Sequence, residues 1–202
     1  MCYFSCNSLV LCDHVIESPQ YIVVLTQSDF EVRLYRESSW MSALVRGTTS
    51  FEGSTKDGFH RLYEYIHGTN LNSSLIPMSA PVLTTITSSS PSEYCVRLYL
   101  SGKYERPPQP SPELNLQLDQ WQNRCIAVRK FYGFAKDDNV SMEFEALLNS
   151  LNKYLDGHTS IVEDKSSYTI AQYNASHHLT GRLNEVWISV LGTKEGCLPP
   201  LT

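Results

Sequence analysis

Residues 51–82 decide the fold, because they join a helical pattern to a proline-flanked segment. The stretch reads FEGSTKDGFHRLYEYIHG over 51–68, passes through a polar loop and ends in IPMSAPV over 76–82. In its first half, apolar side chains recur at the three- and four-residue intervals of one helical face. These side chains are Phe59, Leu62, Tyr63 and Ile66. We therefore predict an amphipathic α-helix here.

Both ends of this helix carry boundary signals. Ser54 and Thr55 can cap the N-terminus, and Gly68 is the glycine expected just beyond the C-terminus. Pro77 and Pro81 keep the following strand at a sheet edge or bulge, because proline cannot donate a ladder hydrogen bond. A helix laid on such a strand can close one side of an apolar pocket; plain packing of a helix on a sheet is the other interpretation.

The rest of the chain alternates in the manner of an antiparallel sheet. Period-two patterns and turn residues predict strands at 21–26, 30–35, 40–46, 94–100, 114–118, 124–131, 168–173 and 185–191. Residues 104–113 hold four prolines and predict an irregular loop. A second amphipathic helix is predicted over 141–155, with Ser141 as its cap.

The two halves of the chain echo each other. YIHG at 65–68 is matched by YLDG at 154–157, and the strand–strand–helix–strand order recurs after about 85 to 90 residues. This spacing predicts a duplicated unit rather than a solenoid, which needs three or more repeats. Two units joined edge to edge would form a closed or nearly closed sheet, which limits exposed edges. A groove would remain between the sheet and a helix.

Composition excludes several classes of partner. The chain has 202 residues, of which 42% are hydrophobic and 18% charged, enough for one well-buried core. A net charge of −5 argues against nucleic acid or an anionic membrane surface as partner. No apolar run approaches the roughly 20 residues of a membrane span. The 12 Tyr, 7 Phe and 3 Trp suit a core or a pocket for a small apolar ligand. We expect a monomer.

Cysteine usage bears on the redox compartment. Three of the six cysteines lie in residues 1–16, which leaves Cys95, Cys125 and Cys197. Three thiols leave one unpaired, and no Cys-x-x-Cys spacing indicates a metal site. The sequence leaves the disulfide state open. We expect reduced thiols and a cytoplasmic protein.

A secretory or vacuolar location is the alternative. Residues 1–16 are mildly apolar but lack a basic start, so they make a poor signal peptide. Three Asn-x-Ser sequons, at Asn72, Asn139 and Asn174, would matter only if the chain were secreted.

The motifs, taken in order, resemble the SOUL/haem-binding protein family in its plant-type form. The segments that carry the resemblance are ESPQY (17–21), FEVRLY (30–35), KDGF (56–59), YIHGTN (65–70), IPMSAPV (76–82) and GRLNEVW (181–187). The resemblance covers about residues 17 to 190. It implies an α+β fold: a distorted antiparallel β-barrel of two pseudo-repeated strand–strand–helix–strand units, flanked by two long helices. We expect a leader at 1–16, one domain at 17–192 and a tail at 193–202.

The resemblance also implies a ligand site. Members of the family bind haem and other tetrapyrroles in a shallow apolar site between the first helix and the loop before the last strand. Carried over by position, the ligand-binding residues here are Lys56, Phe59, Leu62, Tyr63, Met78, Tyr173, His177, His178 and Arg182. For Phe59, Leu62 and Met78, membership of the core is the competing interpretation.

The chemistry of a porphyrin suits this set. The apolar members offer a flat slot, while Lys56, His178 and Arg182 offer cations or donors for propionates. Tyr63 or His178 can act as axial ligand, since phenolate and imidazole both bind haem iron. His60 and His67 are interpreted as solvated residues on the outer face of the helix. We therefore expect a non-enzymatic haem or tetrapyrrole carrier or buffer with no other cofactor.

An enzyme is the alternative hypothesis. The family commonly has an apolar, proline-containing run where this chain reads ASHH at 175–178. Histidines at a pocket rim titrate near neutrality and can move protons. Tyr63, Tyr173, His177 and His178 could then serve as acid–base residues in an isomerisation or cyclisation of a small apolar plant metabolite.

Overall fold

A computed structural model describes residues 16–47, 50–88, 93–104, 106–155, 162–174, 180–192 and 197. The predicted leader and tail therefore lie almost wholly outside the described residues. The elements are β1 (Tyr21–Thr26), β2 (Glu31–Tyr35), β3 (Ser38–Val45), α1 (Phe51–Ile66), β4 (Val82–Thr87), β5 (Glu93–Leu100), a 3₁₀ turn (Pro112–Leu114), β6 (Leu116–Trp121), β7 (Arg124–Tyr132), α2 (Val140–Tyr154), β8 (Ser167–Gln172) and β9 (Leu183–Val190).

The strand order confirms the predicted duplication. The sheet is antiparallel, in the order β1-β2-β7-β9-β8-β4-β5-β3-β6. The first unit contains β2–β5 and the second contains β6–β9, so that β2 corresponds to β6, β3 to β7, β4 to β8 and β5 to β9. When each strand is replaced by its counterpart, the order from β2 to β6 becomes its own reverse, as an internal two-fold axis requires. At its centre β4 pairs with β8, and the hydroxyls of Thr85 and Thr169 lie 2.8 Å apart. The two units are joined edge to edge, as predicted.

The sheet curls into half of a distorted barrel and carries both helices on one face. Full closure, the stronger form of the prediction, is not reached, because β1 and β6 remain edge strands among the described residues. Alternation assigns the faces: Thr84 bonds to Thr55 of α1, whereas its neighbour Leu83 packs on the opposite face. Separate cores lie under α2 around Leu147, under α1 around Leu62, and on the opposite face.

Helix α1 begins earlier than its sequence signals suggest. Ser50 is the N-cap, and its hydroxyl accepts a hydrogen bond from the backbone of Gly53. Asp137, from the segment before α2, accepts further bonds from the Ser50 hydroxyl and the Phe51 N–H. The prediction that Ser54 and Thr55 cap the helix is therefore wrong. The first-turn N–H groups, which have no partner within a helix, already donate to Ser50 and Asp137. Gly68 does follow the helix with positive φ.

The predicted strand at 76–82 is also wrong. This segment is irregular and makes only isolated bridges, such as that between Ser79 and Glu17. Pro77 and Pro81 supply no N–H for a ladder, and the Ala80–Pro81 peptide is cis. The strand begins at Val82 and lies in the middle of the sheet.

Smaller boundary shifts have local causes. The sixth strand starts after the 3₁₀ turn, where Asn115 adopts a left-handed conformation with φ of 46°. Helix α2 is capped by Asn139 rather than Ser141, and the side chain of Asn139 also bonds to Lys136 and Phe134. These shifts leave the order of elements unchanged.

Two of the cysteines form a disulfide. Cys125 of β7 is bonded to Cys197, 72 residues later, and both are buried in the core under α2. Cys95 is the free cysteine of the described part and is half-buried. The expectation of reduced thiols is wrong for this pair. The bond links β7 to the predicted tail.

Close packing at Gly58 sets the position of α1. A Cβ added there would stand 2.4 Å from Val96 Cγ2 on β5, too close for any side chain. A glycine at this position therefore lets the helix approach the sheet closely, and rotates Leu62 and Tyr65 inward.

Replacing this glycine should weaken the packing of α1 on the sheet. We expect Gly58→Ala to lower the free energy of unfolding by about 1–3 kcal/mol, because the added methyl overpacks the helix–sheet contact. Gly53→Ala in the same helix is the control, since its Cβ would only touch Ser50 at 3.5 Å; it should be neutral or stabilising by up to about 1 kcal/mol. Urea unfolding measures both, and equal effects would contradict the assignment.

Candidate functional site

An open groove runs between α1 and β3 on the helix-bearing face of the sheet. Its volume is about 680 Å³, within the usual range of roughly 300–1,000 Å³ for small-molecule sites. It is lined by Leu44, Val45, Arg46, Lys56, Asp57, Phe59, His60, Arg61 and Tyr63. The groove exists because α1 turns Gly58 and Leu62 towards the sheet, which leaves the neighbouring strip of the helix uncovered.

Aromatic rings form a continuous strip along this uncovered side. Phe59, Tyr63 and His67 follow one another at four-residue intervals, with centroid distances of 6.1 Å and 3.9 Å. His67 is anchored because its Nδ1 lies 2.8 Å from the carbonyl oxygen of Tyr63. Tyr63 is 47% exposed. A partly exposed aromatic surface of this kind is a candidate for binding a flat apolar molecule.

Positive charge borders the strip. Three cations and one carboxylate line the groove: Arg46, Lys56, Arg61 and Asp57. Arg61 is held by bonds to the carbonyls of Leu44 (2.8 Å) and Leu114 (3.4 Å). Arg46 pairs with Glu93 in solvent, and Lys56 makes no ion pair within the described ranges. The rim can therefore accept the carboxylates of a ligand.

The structure brings together only part of the predicted site. Lys56, Phe59 and Tyr63 share the groove. Leu62 is 0% exposed and forms the core beneath it, which agrees with the competing interpretation for that residue. Met78 is 41% exposed, but it is not part of the groove wall. His177 and His178 lie outside the described residues.

Tyr173 belongs to a buried polar network instead. Its hydroxyl donates to Glu185 at 2.7 Å, and the same carboxylate accepts from the Trp187 indole at 2.8 Å. Arg33 closes the network with two bonds to Glu185, and both charged residues are at most 2% exposed. Burial, and then the charge of Glu185, raise the pKa of Tyr173 far above its usual range. The phenol is thus held protonated as a donor inside the fold.

Arg182 lies at the base of the segment before β9. Its guanidinium covers the Phe134 ring at 4.6 Å and donates to the Asn174 carbonyl at 3.3 Å. The segment that contains Phe134 also supplies Asp137, the carboxylate at the N-terminus of α1. Arg182 is therefore linked to α1 indirectly, through the segment that carries Phe134 and Asp137. Neither Tyr173 nor Arg182 lines the groove.

Sequence reasoning missed the strand wall of the groove and three residues of the helix, Asp57, His60 and Arg61. Leu44, Val45 and Arg46 come from β3, and nothing local in the sequence says which strand lies beside α1. His60 was interpreted as plain surface, yet it lines the groove while it pairs with Glu64 at 3.1 Å. Gly58 was an available signal, since a glycine inside a helical pattern can mark close approach of another backbone.

Other kinds of site find no support in the described part of the chain. There, no cluster of three or more His, Cys, Asp and Glu side chains is arranged to hold a metal ion. No helix in these ranges has the length and apolar character needed to cross a membrane.

Comparison with known proteins agrees with the fold and the motifs. The family model described as SOUL heme-binding protein matches residues 16–189. The chain belongs to this family. Mouse heme-binding protein 2 is 29% identical over 164 residues, covering 79% of this chain and 77% of its own. Heme-binding protein 1 of Xenopus laevis is 27% identical over 165 residues, covering 78% and 82%. The plant-type assignment stays a prediction.

Solved structures repeat the architecture of this SOUL-family protein at low sequence identity. A hydrolase from Listeria innocua superposes with a TM-score of 0.53 at 8% identity, covering 83% of this chain and 94% of its own. The C-terminal domain of EcmrR superposes with a TM-score of 0.51 at 9% identity, covering 81% and 98%. At such identities the likeness concerns the fold alone.

The buried network makes a prediction about Tyr173. We expect Tyr173→Phe to lower the free energy of unfolding by about 1.5–3 kcal/mol, because it removes a hydrogen bond to a buried carboxylate. Tyr132→Phe is the control, since Tyr132 is 72% exposed on the neighbouring β7 and should cost nearly nothing. Denaturant melts measure both. Equal stability of the Tyr173 variant and the parent would show that the bond is absent in solution.

Proposed function

We propose that this protein binds haem, or a related tetrapyrrole, in the groove between α1 and β3 and serves as a carrier or buffer for it. The observation that carries the proposal is the aromatic strip beside a cationic rim: half-buried Phe59 and exposed Tyr63 line the groove, and His67 stacks on Tyr63. Membership of the SOUL family, and the names of its relatives heme-binding proteins 1 and 2, point to the same ligand class.

The residues present fit the chemistry of haem. The aromatic strip offers a flat apolar surface, and Arg46, Lys56 and Arg61 offer charge to propionates. Tyr63 and His60 line the same groove, and both side-chain types are able to ligate haem iron. Haem would supply the iron and the conjugated ring; the chain would bind and orient them. His60 thereby joins Tyr63 as a candidate ligand beside the predicted His178.

The openness of the groove supports a carrier or buffer. Tyr63 is about half exposed, and the charged side chains of Lys56 and Arg46 stand at the surface. A ligand in such a groove keeps part of its surface in solvent, so it can leave without opening the fold. Exchange of this kind suits transfer or storage better than permanent retention as a prosthetic group.

Hemin titration tests the proposed groove. We expect saturable binding with a Soret shift at micromolar or tighter affinity. Phe59→Ala and Tyr63→Ala should each weaken binding by about tenfold, because each removes stacking surface worth on the order of 1–2 kcal/mol. Lys56→Glu should weaken it by about three- to tenfold, since it reverses a rim charge.

Matched controls separate the groove from general surface effects. Tyr132→Ala removes a more exposed ring from β7, and Lys165→Glu reverses an exposed charge outside the groove. Both variants should bind hemin like the parent. Tyr63→Phe keeps the ring and removes the phenol, so a changed Soret position at similar affinity would identify Tyr63 as an iron ligand. No Soret shift in the parent would exclude the function, and parent-like binding by all groove variants would exclude the groove.

We also propose that the chain folds in an oxidising compartment, the secretory or vacuolar alternative. The disulfide between Cys125 and Cys197 supports this, because such bonds persist mainly outside the reducing cytosol. The sequons differ in availability. The side chains of Asn139 and Asn174 are hydrogen-bonded to backbone groups, whereas Asn72 lies exposed in the loop after α1.

Secretion in a eukaryotic host tests this proposal. Directed there by a fused signal, the chain should gain a glycan at Asn72, seen as a mass shift that a glycan-removing enzyme or Asn72→Gln abolishes. Asn139→Gln should leave the glycan in place. Alkylation of the unfolded, unreduced protein should label Cys95 but neither Cys125 nor Cys197. Labelling of all three in properly secreted protein would contradict the compartment assignment.

A further inference from the structure

A second cavity lies on the sheet face opposite the helices, at the internal two-fold. Its volume is about 300 Å³, and its wall includes Thr85, Arg97, Trp121, Arg124, Thr169 and Trp187. The hydroxyls of Thr85 and Thr169, which meet at the two-fold, stand in this wall. No wall residue is shared with the groove beside α1. The cavity is therefore a separate site from the one proposed for haem.

Its two arginines are in different states. Arg97 is satisfied, since its Nε donates to Asp119 at 2.8 Å and an Nη donates to Thr85 at 2.9 Å. Arg124 covers the Trp121 ring at 4.1 Å but forms no ion pair with any described residue. Its Nε is buried and has no hydrogen-bond partner in the described part of the chain.

Nearby carboxylates attract Arg124 but form no ion pair with it among the described residues. Asp119 is committed to Arg97. Glu163 and Asp164 are exposed residues at the mouth, and Asp164 accepts two bonds from Ser166. Burial, and then the charge of Arg97, lower the pKa of Arg124. A guanidinium that is partly buried, next to a second cation and without a counter-ion, costs stability unless a ligand pairs with it.

We propose that this cavity binds a small organic molecule through a carboxylate that pairs with the guanidinium of Arg124. A planar fork of donors matches a carboxylate in two-point geometry. The walls offer Trp121, Ile126 and Trp187 to an apolar or aromatic body, and threonine hydroxyls to its polar atoms. Glu163 and Asp164 at the mouth repel a doubly charged phosphate more than a singly charged carboxylate, which favours the organic acid over free phosphate.

Three probes test the chemistry: benzoate, its neutral isostere benzamide, and inorganic phosphate. Binding is followed by calorimetry and by tryptophan fluorescence, since Trp121 and Trp187 line the cavity. We expect benzoate to bind saturably, and the other two to bind at least tenfold more weakly. Benzamide binding as tightly as benzoate would overturn the role of charge. Tighter binding of phosphate would overturn the assignment to carboxylates.

Variants of two arginines on one strand assign the site. Arg124→Gln should weaken benzoate binding at least tenfold, while Arg124→Lys, which keeps charge but loses the fork, should fall between. Arg129→Gln is the control, because Arg129 pairs with Asp29 and Glu143 on the helix-bearing face. Hemin binding should be unchanged in all three variants, which shows that they are folded and tests this site apart from the groove. The proposal would be refuted if Arg124→Gln bound benzoate as tightly as the parent. If that variant does not fold, the same outcome for Arg124→Lys would refute it.

Discussion

The contact between Gly58 of α1 and Val96 of β5 determines which residues of the helix are buried and which border the groove. Rotation of a helix about its own axis decides which of its residues face the sheet. Because Gly58 has no Cβ, the helix can turn Gly58 towards the sheet and approach it closely. Leu62 and Tyr65 then enter the core, and Phe59, Tyr63 and His67 remain outside. The cap from Ser50 and Asp137 holds the start of the same helix. The groove is therefore a consequence of how α1 packs on the sheet rather than of any single lining residue.

The opposite face of the sheet is organised by buried charge. Arg33 and Glu185 are nearly inaccessible to solvent, and Glu185 is further satisfied by Tyr173 and Trp187. Such a network contributes little net stability, since desolvation opposes the attraction, but losing one member leaves a buried charge unpaired. It also joins β2 of the first unit to β9 of the second. Arg124 differs from this network, because the described residues supply it with no such partner.

Local pattern was sufficient for most strands and for the repeat, and insufficient for the central strand β4 and for the site. A β-branched run located β1 to the residue, and the echo between 65–68 and 154–157 gave the duplicated unit. The start of α1 was missed because its cap involves Asp137, 86 residues from Phe51. The β3 wall of the groove and the role of Tyr173 were missed for the same reason: both depend on pairings between distant segments. Periodicity and family motifs are local, and they were enough to place Lys56, Phe59 and Tyr63 together on the side of the helix that borders the groove.

The palindromic strand order also ties the two units together by exchange. β2 and β3 follow each other in the chain but do not pair; β2 adds to β7 and β3 receives β6. The first strand of each unit thus pairs with the second strand of the other unit. Either unit alone would leave the edges of both of these strands without a hydrogen-bonding partner. Contacts of such long sequence separation form slowly, and the polypeptide must be complete before its sheet can assemble. By the same geometry, a single unit could complete both edges only by exchanging outer strands with a second copy, which would make an intertwined homodimer.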